Sequence, residues 1–287
     1  MRFVSFAVGN YTSFGVVKGE AVVDLGTSLG RVCPTLGALL RAGELPRAIE
    51  LATQREPSVA LDTIRYLPPI PDPEKIICIG INYGNRNEEY RDGAEAPQYP
   101  SVFMRTPGSL VGHLEPIWNP PESEQLDYEG EIALVIGRAG RRIAEEDAWR
   151  HVAGLSLMNE GSVRDWLRHS KFNVTPGKNF ERSGSFGPWL VTADEIAANA
   201  ELHLTTHVNG ELRQDDTTAN LIFPFARLIS YLSSFMRLSP GDIIATGTPT
   251  GAGARFDPPK YLRDGDSVAV HVPQLGTLRN PIVNEPR

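Results

Sequence analysis

The chain has 287 residues, of which 41% are hydrophobic and 22% charged, and it carries a net charge of -7. That length can bury a sizeable core without staples, and the composition excludes disordered, collagen-like and coiled-coil classes. The negative balance, with no basic cluster denser than Arg138, Arg141 and Arg142, leaves no footprint for a nucleic acid backbone.

The start, Met1 to Phe6, lacks the apolar stretch of a signal peptide. No later run approaches the ~18 apolar residues that a membrane span needs. Cys33 and Cys78 are too few for a disulfide framework or a thiolate metal site. The expectation is a cytoplasmic protein with no membrane or nucleic acid partner.

In chain order, Val16-Val17 and Ala21 to Val23 flank a Lys18-Gly19-Glu20 turn, and helical stretches follow near Thr35 to Arg41 and Leu45 to Thr53. Residues 1–66 thus read as a small N-terminal α+β domain. Residues 67–74 hold Pro68, Pro69, Pro71 and Pro73 and read as a linker, with a larger unit over 75–287. That unit opens on the apolar run Lys75 to Ile79. Its predicted strands are Glu129 to Ile136, Ala153 to Met158, Trp189 to Thr192, Leu202 to Val208, Asp242 to Thr246 and Ser267 to Val272. The spacing of Leu221, Phe225, Leu228, Ile229, Leu232, Phe235 and Met236 predicts one long helix between Asn220 and Leu238. Ser162 to Ser170 reads as helix-like.

The chemistry concentrates in Asp127-Tyr128-Glu129-Gly130-Glu131, where an apolar strand opens with two glutamates. On a strand, residues two apart share a face, so both carboxylates project together, and a cation relieves their repulsion. A lone Glu-x-Glu is more often the solvated face of an edge strand. Its company decides otherwise, because Ala153 to Met158 ends in Asn159-Glu160-Gly161 and delivers a third carboxylate. An all-oxygen set suits Mg2+ or Mn2+ better than Zn2+. His113, His169, His203, His207 and His271 show no ligand spacing, and His113 falls nearest the expected site. Arg164 and Asp165 read as a helix-start ion pair. Thr246 to Gly251 lacks the lysine of a phosphate loop.

Several stretches together resemble the fumarylacetoacetate hydrolase superfamily, on the side of its bacterial hydroxymuconate isomerases and acylpyruvate hydrolases. They are Ile79-Gly80-Ile81-Asn82-Tyr83, Pro107 to His113, Asp127 to Glu131, Gly177-Lys178-Asn179-Phe180, Gly187 to Leu190, Val208 to Glu211 and Thr246 to Pro249. The resemblance implies an α+β, mainly β fold, a mixed β-sandwich roll preceded by the small N-terminal domain, in a homodimer or higher oligomer. It implies a Mg2+ or Mn2+ site at Glu129, Glu131 and Glu160, with Ca2+ a stand-in in crystals. Glu160 departs from the family's aspartate. Lys178 falls on the active-site lysine, and Tyr83, Arg105, Ser109, Gln214 and Thr248 on substrate contacts. Arg86 and Glu89 occupy the positions of a His-x-x-Glu dyad in a lid over about 85–99, where arginine stays protonated and cannot act as base. Either Glu89, Glu88 or metal-bound hydroxide takes that role, or the reaction is not hydrolysis.

The activity implied is C–C hydrolysis of an acylpyruvate-type 2,4-diketo acid through a stabilised enolate. An isomerase, tautomerase or decarboxylase of a hydroxymuconate-like aromatic-degradation intermediate is the alternative, and a catalytically weak ligand-binding relative stands outside both.

Overall fold

The structure is a computed structural model that describes residues 1–84, 97–170 and 173–286. Arg86, Glu88 and Glu89, with most of the expected lid, lie outside the described residues.

The first strand, β1 (Arg2–Val8), forms a meander with β2 (Tyr11–Lys18) and β3 (Ala21–Asp24), and β3 pairs with β4 (Val59–Ala60). β5 (Arg65–Leu67) lies along β1. Three helices lie between β3 and β4, the first a single turn over Gly26–Leu29. Leu36–Arg41 starts where the Thr35 hydroxyl accepts the Ala38 N–H at 2.9 Å, and Leu45–Gln54 follows with a proline in its first turn.

Next come β6 (Ile76–Gly80), β7 (Ser101–Arg105), β8 (Leu110–Val111), β9 (Ile117–Asn119), β10 (Leu126–Asp127), β11 (Gly130–Ile136), β12 (Val152–Asn159), β13 (Ser162–Val163) and β14 (Gly184–Thr192). β15 (His203–Val208), β16 (Glu211–Thr217), β17 (Ile243–Ala245), β18 (Ser267–Val272) and β19 (Gly276–Asn284) complete the strands. One large sheet runs β4-β3-β2-β1-β14-β12-β11-β17-β6-β7, a five-stranded sheet runs β16-β15-β18-β19-β9, and β10 pairs with β13.

The mainly β roll expected from the resemblance is therefore present. Residues 1–66 supply strands to the same large sheet, because Arg2 pairs with Val191 and Phe3 with Leu190. The proline-rich segment between the two parts is packed: Ile70 is buried, Ser5 Oγ donates to the Pro69 carbonyl at 2.7 Å, and Asp72 accepts from Thr35.

Strand parity divides the core into two layers. Every residue of β11 is buried, because Ile132, Leu134 and Ile136 face the helix residues Leu228, Ile229 and Leu232, while Ala133 and Val135 face Leu36, Leu39 and Leu40. A solvated glutamate face on β11 is thereby excluded. Glu131 has the parity of Ala133 and Val135, and Glu160 that of Met158, so both carboxylates extend the layer under the N-terminal helices.

Two expected elements differ. The long helix spans only Phe225–Phe235, since Pro224 holds Phe223 out of the helical region and the chain before it pairs with Asn82. Ser162 to Ser170 is not a continuous helix: Ser162–Val163 pairs with β10, and a 3-10 turn covers Asp165–Arg168.

His113 packs its ring edge-on to Tyr66 at 4.8 Å, and its Nδ1 accepts the Arg279 backbone N–H at 3.0 Å. It does not line the cavity described below. Burial, aided by the Arg279 charge, pushes its pKa down to about 4 from 6.5. A folded-state value below the unfolded one means that neutral His113 contributes stability above about pH 6.5 that is lost as pH falls toward 4. The urea midpoint of the wild type should fall across that window, and His113→Asn, which keeps an acceptor but cannot be protonated, should flatten the fall. Identical slopes for the two proteins would contradict this.

Candidate metal and keto acid site

The hairpin of β11 and β12 positions the three glutamates. Gly130 pairs with Asn159 and Glu131 with Met158, so the chain before β11 and the chain after β12 emerge side by side. They are stitched beyond the strands: the Glu160 N–H donates to the Glu129 carbonyl at 2.7 Å, and the Glu129 N–H to Asn159 Oδ1 at 3.0 Å. Two glycines permit this closeness. A Cβ at Gly130 would lie 2.0 Å from Thr206 Oγ1, and one at Gly161 would lie 1.8 Å from the Ser183 carbonyl oxygen.

Glu129, Glu131 and Glu160 are all buried, and each offers a carboxylate oxygen within 4.8 Å of the others. Lys178, buried at the end of the short helix Thr175–Lys178, donates to Glu129 Oε2 and, at 3.0 Å, to Glu160 Oε2. Its Nζ stands 5.1 Å from the Phe103 ring centroid. Arg164 donates to Asp127 at 2.7 Å and to Glu129 Oε1 at 2.9 Å. The Gly247 N–H donates to Glu131 Oε2 at 2.8 Å. Asp127 is anchored in turn by the Gly253 N–H at 2.8 Å and the Ala254 N–H at 3.0 Å.

The charges do not balance. Among the described residues, Asp127, Glu129 and Glu160 meet Lys178 and Arg164 in direct contact, Arg105 stands 4.0 Å from Glu160 Oε1, and Glu131 adds a fourth carboxylate held by the Gly247 N–H. That Glu160 oxygen is buried with no hydrogen bond. Burial raises the Glu131 pKa well above the usual carboxylate range, and the Glu160 and Glu129 charges raise it further. Burial depresses the Lys178 pKa, but Glu129 and Glu160 more than offset this, and the net shift is upward. A divalent cation fits the set: three convergent oxygen donors, a buried Glu160 oxygen without a hydrogen bond, and more carboxylates than cations among the described residues.

The carboxylates close one end of a cavity of about 390 Å³. Lys178, Arg164 and Thr248 join them in the lining, with apolar walls from Ile79, Ile81, Val102, Phe103, Leu167 and Val174. Thr248 is oriented by Gln214, whose Nε2 donates to its hydroxyl at 2.8 Å while its Oε1 accepts the Gly130 N–H at 2.9 Å. Gln214 itself stands behind the lining.

The other expected substrate contacts are also set back. Arg105 is buried and donates to the Gly161 carbonyl at 2.7 Å and to Ser109 and Ser183 at 3.1 Å each. Arg105 and Ser109 therefore brace the Glu160-Gly161 turn instead of lining the cavity. Tyr83 is fully buried in a bridge to Leu221 and does not line it either.

The sequence reading missed Arg164 as a site residue. Arg164 does not pair with Asp165, whose Oδ1 accepts from Ser123 at 2.6 Å; it turns to Asp127 and Glu129. Had Ser162-Val163 been read as a strand, Arg164 would have stood beside the Asp127 to Glu129 segment. Phe103 and Leu167 carry no signal of their own, since apolar residues read as core.

Similarity to known proteins agrees with this geometry. Residues 75–283 match the sequence model of the fumarylacetoacetate (FAA) hydrolase C-terminal family. The oxaloacetate tautomerase YisK of Bacillus subtilis is 43% identical over 226 residues, which cover 78% of this chain and 74% of the relative. Among solved structures, a putative HpcE protein from Mycobacterium smegmatis superposes with a TM-score of 0.89 at 31% identity, with all of both chains covered. The maleylpyruvate hydrolase of Sphingobium sp. SYK-6, solved with manganese(II) ion and pyruvate, gives a TM-score of 0.80 at 28% identity, again with all of both chains covered. The chain is a member of the fumarylacetoacetate hydrolase family.

Proposed function

We propose that the chain catalyses keto–enol tautomerisation of a small 2-keto dicarboxylic acid of the oxaloacetate type. The observation that carries this reading is the buried triad of carboxylates crossed by Lys178 at the end of an apolar-walled cavity. The identity to YisK, a protein named for that reaction, supports it.

Glu129, Glu131 and Glu160 would hold Mg2+ or Mn2+, which when bound supplies Lewis acidity toward the carboxylate and carbonyl oxygens of a 2-keto acid. When the proton leaves C3, the C–H electron pair forms the C2–C3 double bond and negative charge moves to the C2 oxygen. Of the two described cations in the lining, Lys178 and Arg164, Lys178 is assigned to face that charge and to donate the proton that completes the enol. Thr248 orients the acid, and Ile79, Val102, Phe103 and Leu167 keep water from the enolate. From sequence alone, Glu89 is assigned to take the C3 proton and Arg86 to hold the distal carboxylate. Tautomerisation needs only these two proton movements.

A second reading, C–C hydrolysis of an acylpyruvate-type acid, is favoured by the likeness to the maleylpyruvate hydrolase. It requires in addition a water activated beside the acyl carbon. The two separate in one assay series that follows loss of enol absorbance with oxaloacetate and cleavage with an acylpyruvate. The expected result is a larger kcat/KM for tautomerisation, abolished by thorough chelation and restored by Mg2+ or Mn2+. Faster acylpyruvate cleavage would install the second reading, and full activity after chelation would remove the metal from both.

Lys178→Met should lower kcat by about 100-fold with little change in KM, since a cation facing developing charge acts mainly in the transition state. A raised KM at unchanged kcat would reduce Lys178 to a binding contact. Glu131→Gln should raise the melting temperature of the metal-free protein by about 2–4 °C, because it removes a buried charge from among like charges. Added Mn2+ should then stabilise the wild type and not the variant, whereas equal stabilisation of both would show that Glu131 is no ligand.

A further inference from the structure

A second cavity, of about 530 Å³, lies on the outward face of the five-stranded sheet. Its shape follows from the strand register. Ala269 on β18 pairs with His207 on β15 and with Arg279 on β19, so a methyl group stands between an imidazole and a guanidinium. In the next row, His271 lies between Thr205 and Thr277. With strands ~4.8 Å apart, His207 and Arg279 flank Ala269 at a span near 10 Å, which leaves a hollow floored by Ala269 and Ser267.

The hollow is electropositive in character. Its lining has His207, His271 and Arg279 and no carboxylate. Acids on its margin are engaged: Asp215 meets His203 Nε2 at 2.5 Å, Asp266 accepts from Asn209 at 2.7 Å, and Glu211 accepts from Arg213 at 2.9 Å and Lys260 at 2.8 Å. His271 Nδ1 lies 2.9 Å from Thr277 Oγ1, which leaves Nε2 for another partner. The Arg279 guanidinium and the His207 ring make no hydrogen bond or ion pair with the described residues. One guanidinium and two imidazoles around a small-residue floor match the donor needs of a compact oxyanion.

We infer that this hollow is a binding site for a small multivalent oxyanion, a dicarboxylate or a phosphate, separate from the catalytic cavity. The test is calorimetric titration of inorganic phosphate and, separately, of succinate into the full chain. Either anion should bind once per chain and should bind equally to Lys178→Met, which separates the hollow from the cavity. Arg279→Gln, which removes a charge-assisted contact, and Ala269→Leu, which fills the floor, should each weaken binding by about tenfold or more. Both variants should keep wild-type turnover and sedimentation. Absence of binding by both anions, unchanged affinity in both variants, or loss of binding in Lys178→Met would overturn the inference. A change of oligomeric state in the variants would also overturn it and reassign the hollow to an interface between copies.

Discussion

Three carboxylates buried within 4.8 Å of one another are the constraint around which the rest of this site is arranged. Each has lost most of its hydration, and each raises the energy of the others. The fold holds them together through backbone bonds at the mouth of the β11–β12 hairpin, through glycines where any side chain would collide, and through two cations inserted from different elements. Lys178 comes from a short helix and Arg164 from the strand-and-turn segment after Glu160, and Asp127 fixes Arg164 in place. Arg105 and Gln214 brace the same turn and hairpin from behind the cavity wall.

This arrangement explains why the site is both strained and receptive. Among the described residues the carboxylates outnumber the cations around them, and a Glu160 oxygen is left without a hydrogen bond. A divalent ion would settle that imbalance, and Lys178 would then be released in part toward an anionic ligand. Glu160, where the sequence resemblance implies an aspartate, still brings a carboxylate oxygen within 4.8 Å of Glu129 and Glu131.

Much of this was legible in the sequence. The parity rule placed Glu129 and Glu131 on one face, and the apolar run ending at Glu160 brought the third carboxylate to them. Strand Ser267–Val272 and the helices after Thr35 and Glu44 follow from alternation and apolar spacing. What could not be read was long-range pairing. β1 closes on β14 with Arg2 against Val191, far apart in the chain, and nothing local to either residue announces it. Arg164 was misassigned for the same reason, since its partners are set by pairing of Ser162-Val163 with Leu126-Asp127. The helix start was misplaced because apolar spacing continued through Leu221, whereas Pro224 governs the backbone.

The outward hollow on the small sheet and the buried triad present opposite donor sets in one chain: imidazole and guanidinium nitrogens converge at the hollow, carboxylate oxygens at the triad. The central claim concerns the triad. Calorimetric titration of Mn2+ into the metal-free chain tests it most directly, with wild type and Glu160→Gln measured side by side. The account predicts one ion per chain in the wild type and a loss of affinity of about 10-fold or more in the variant. No binding by the wild type, or the same affinity in both proteins, would contradict it.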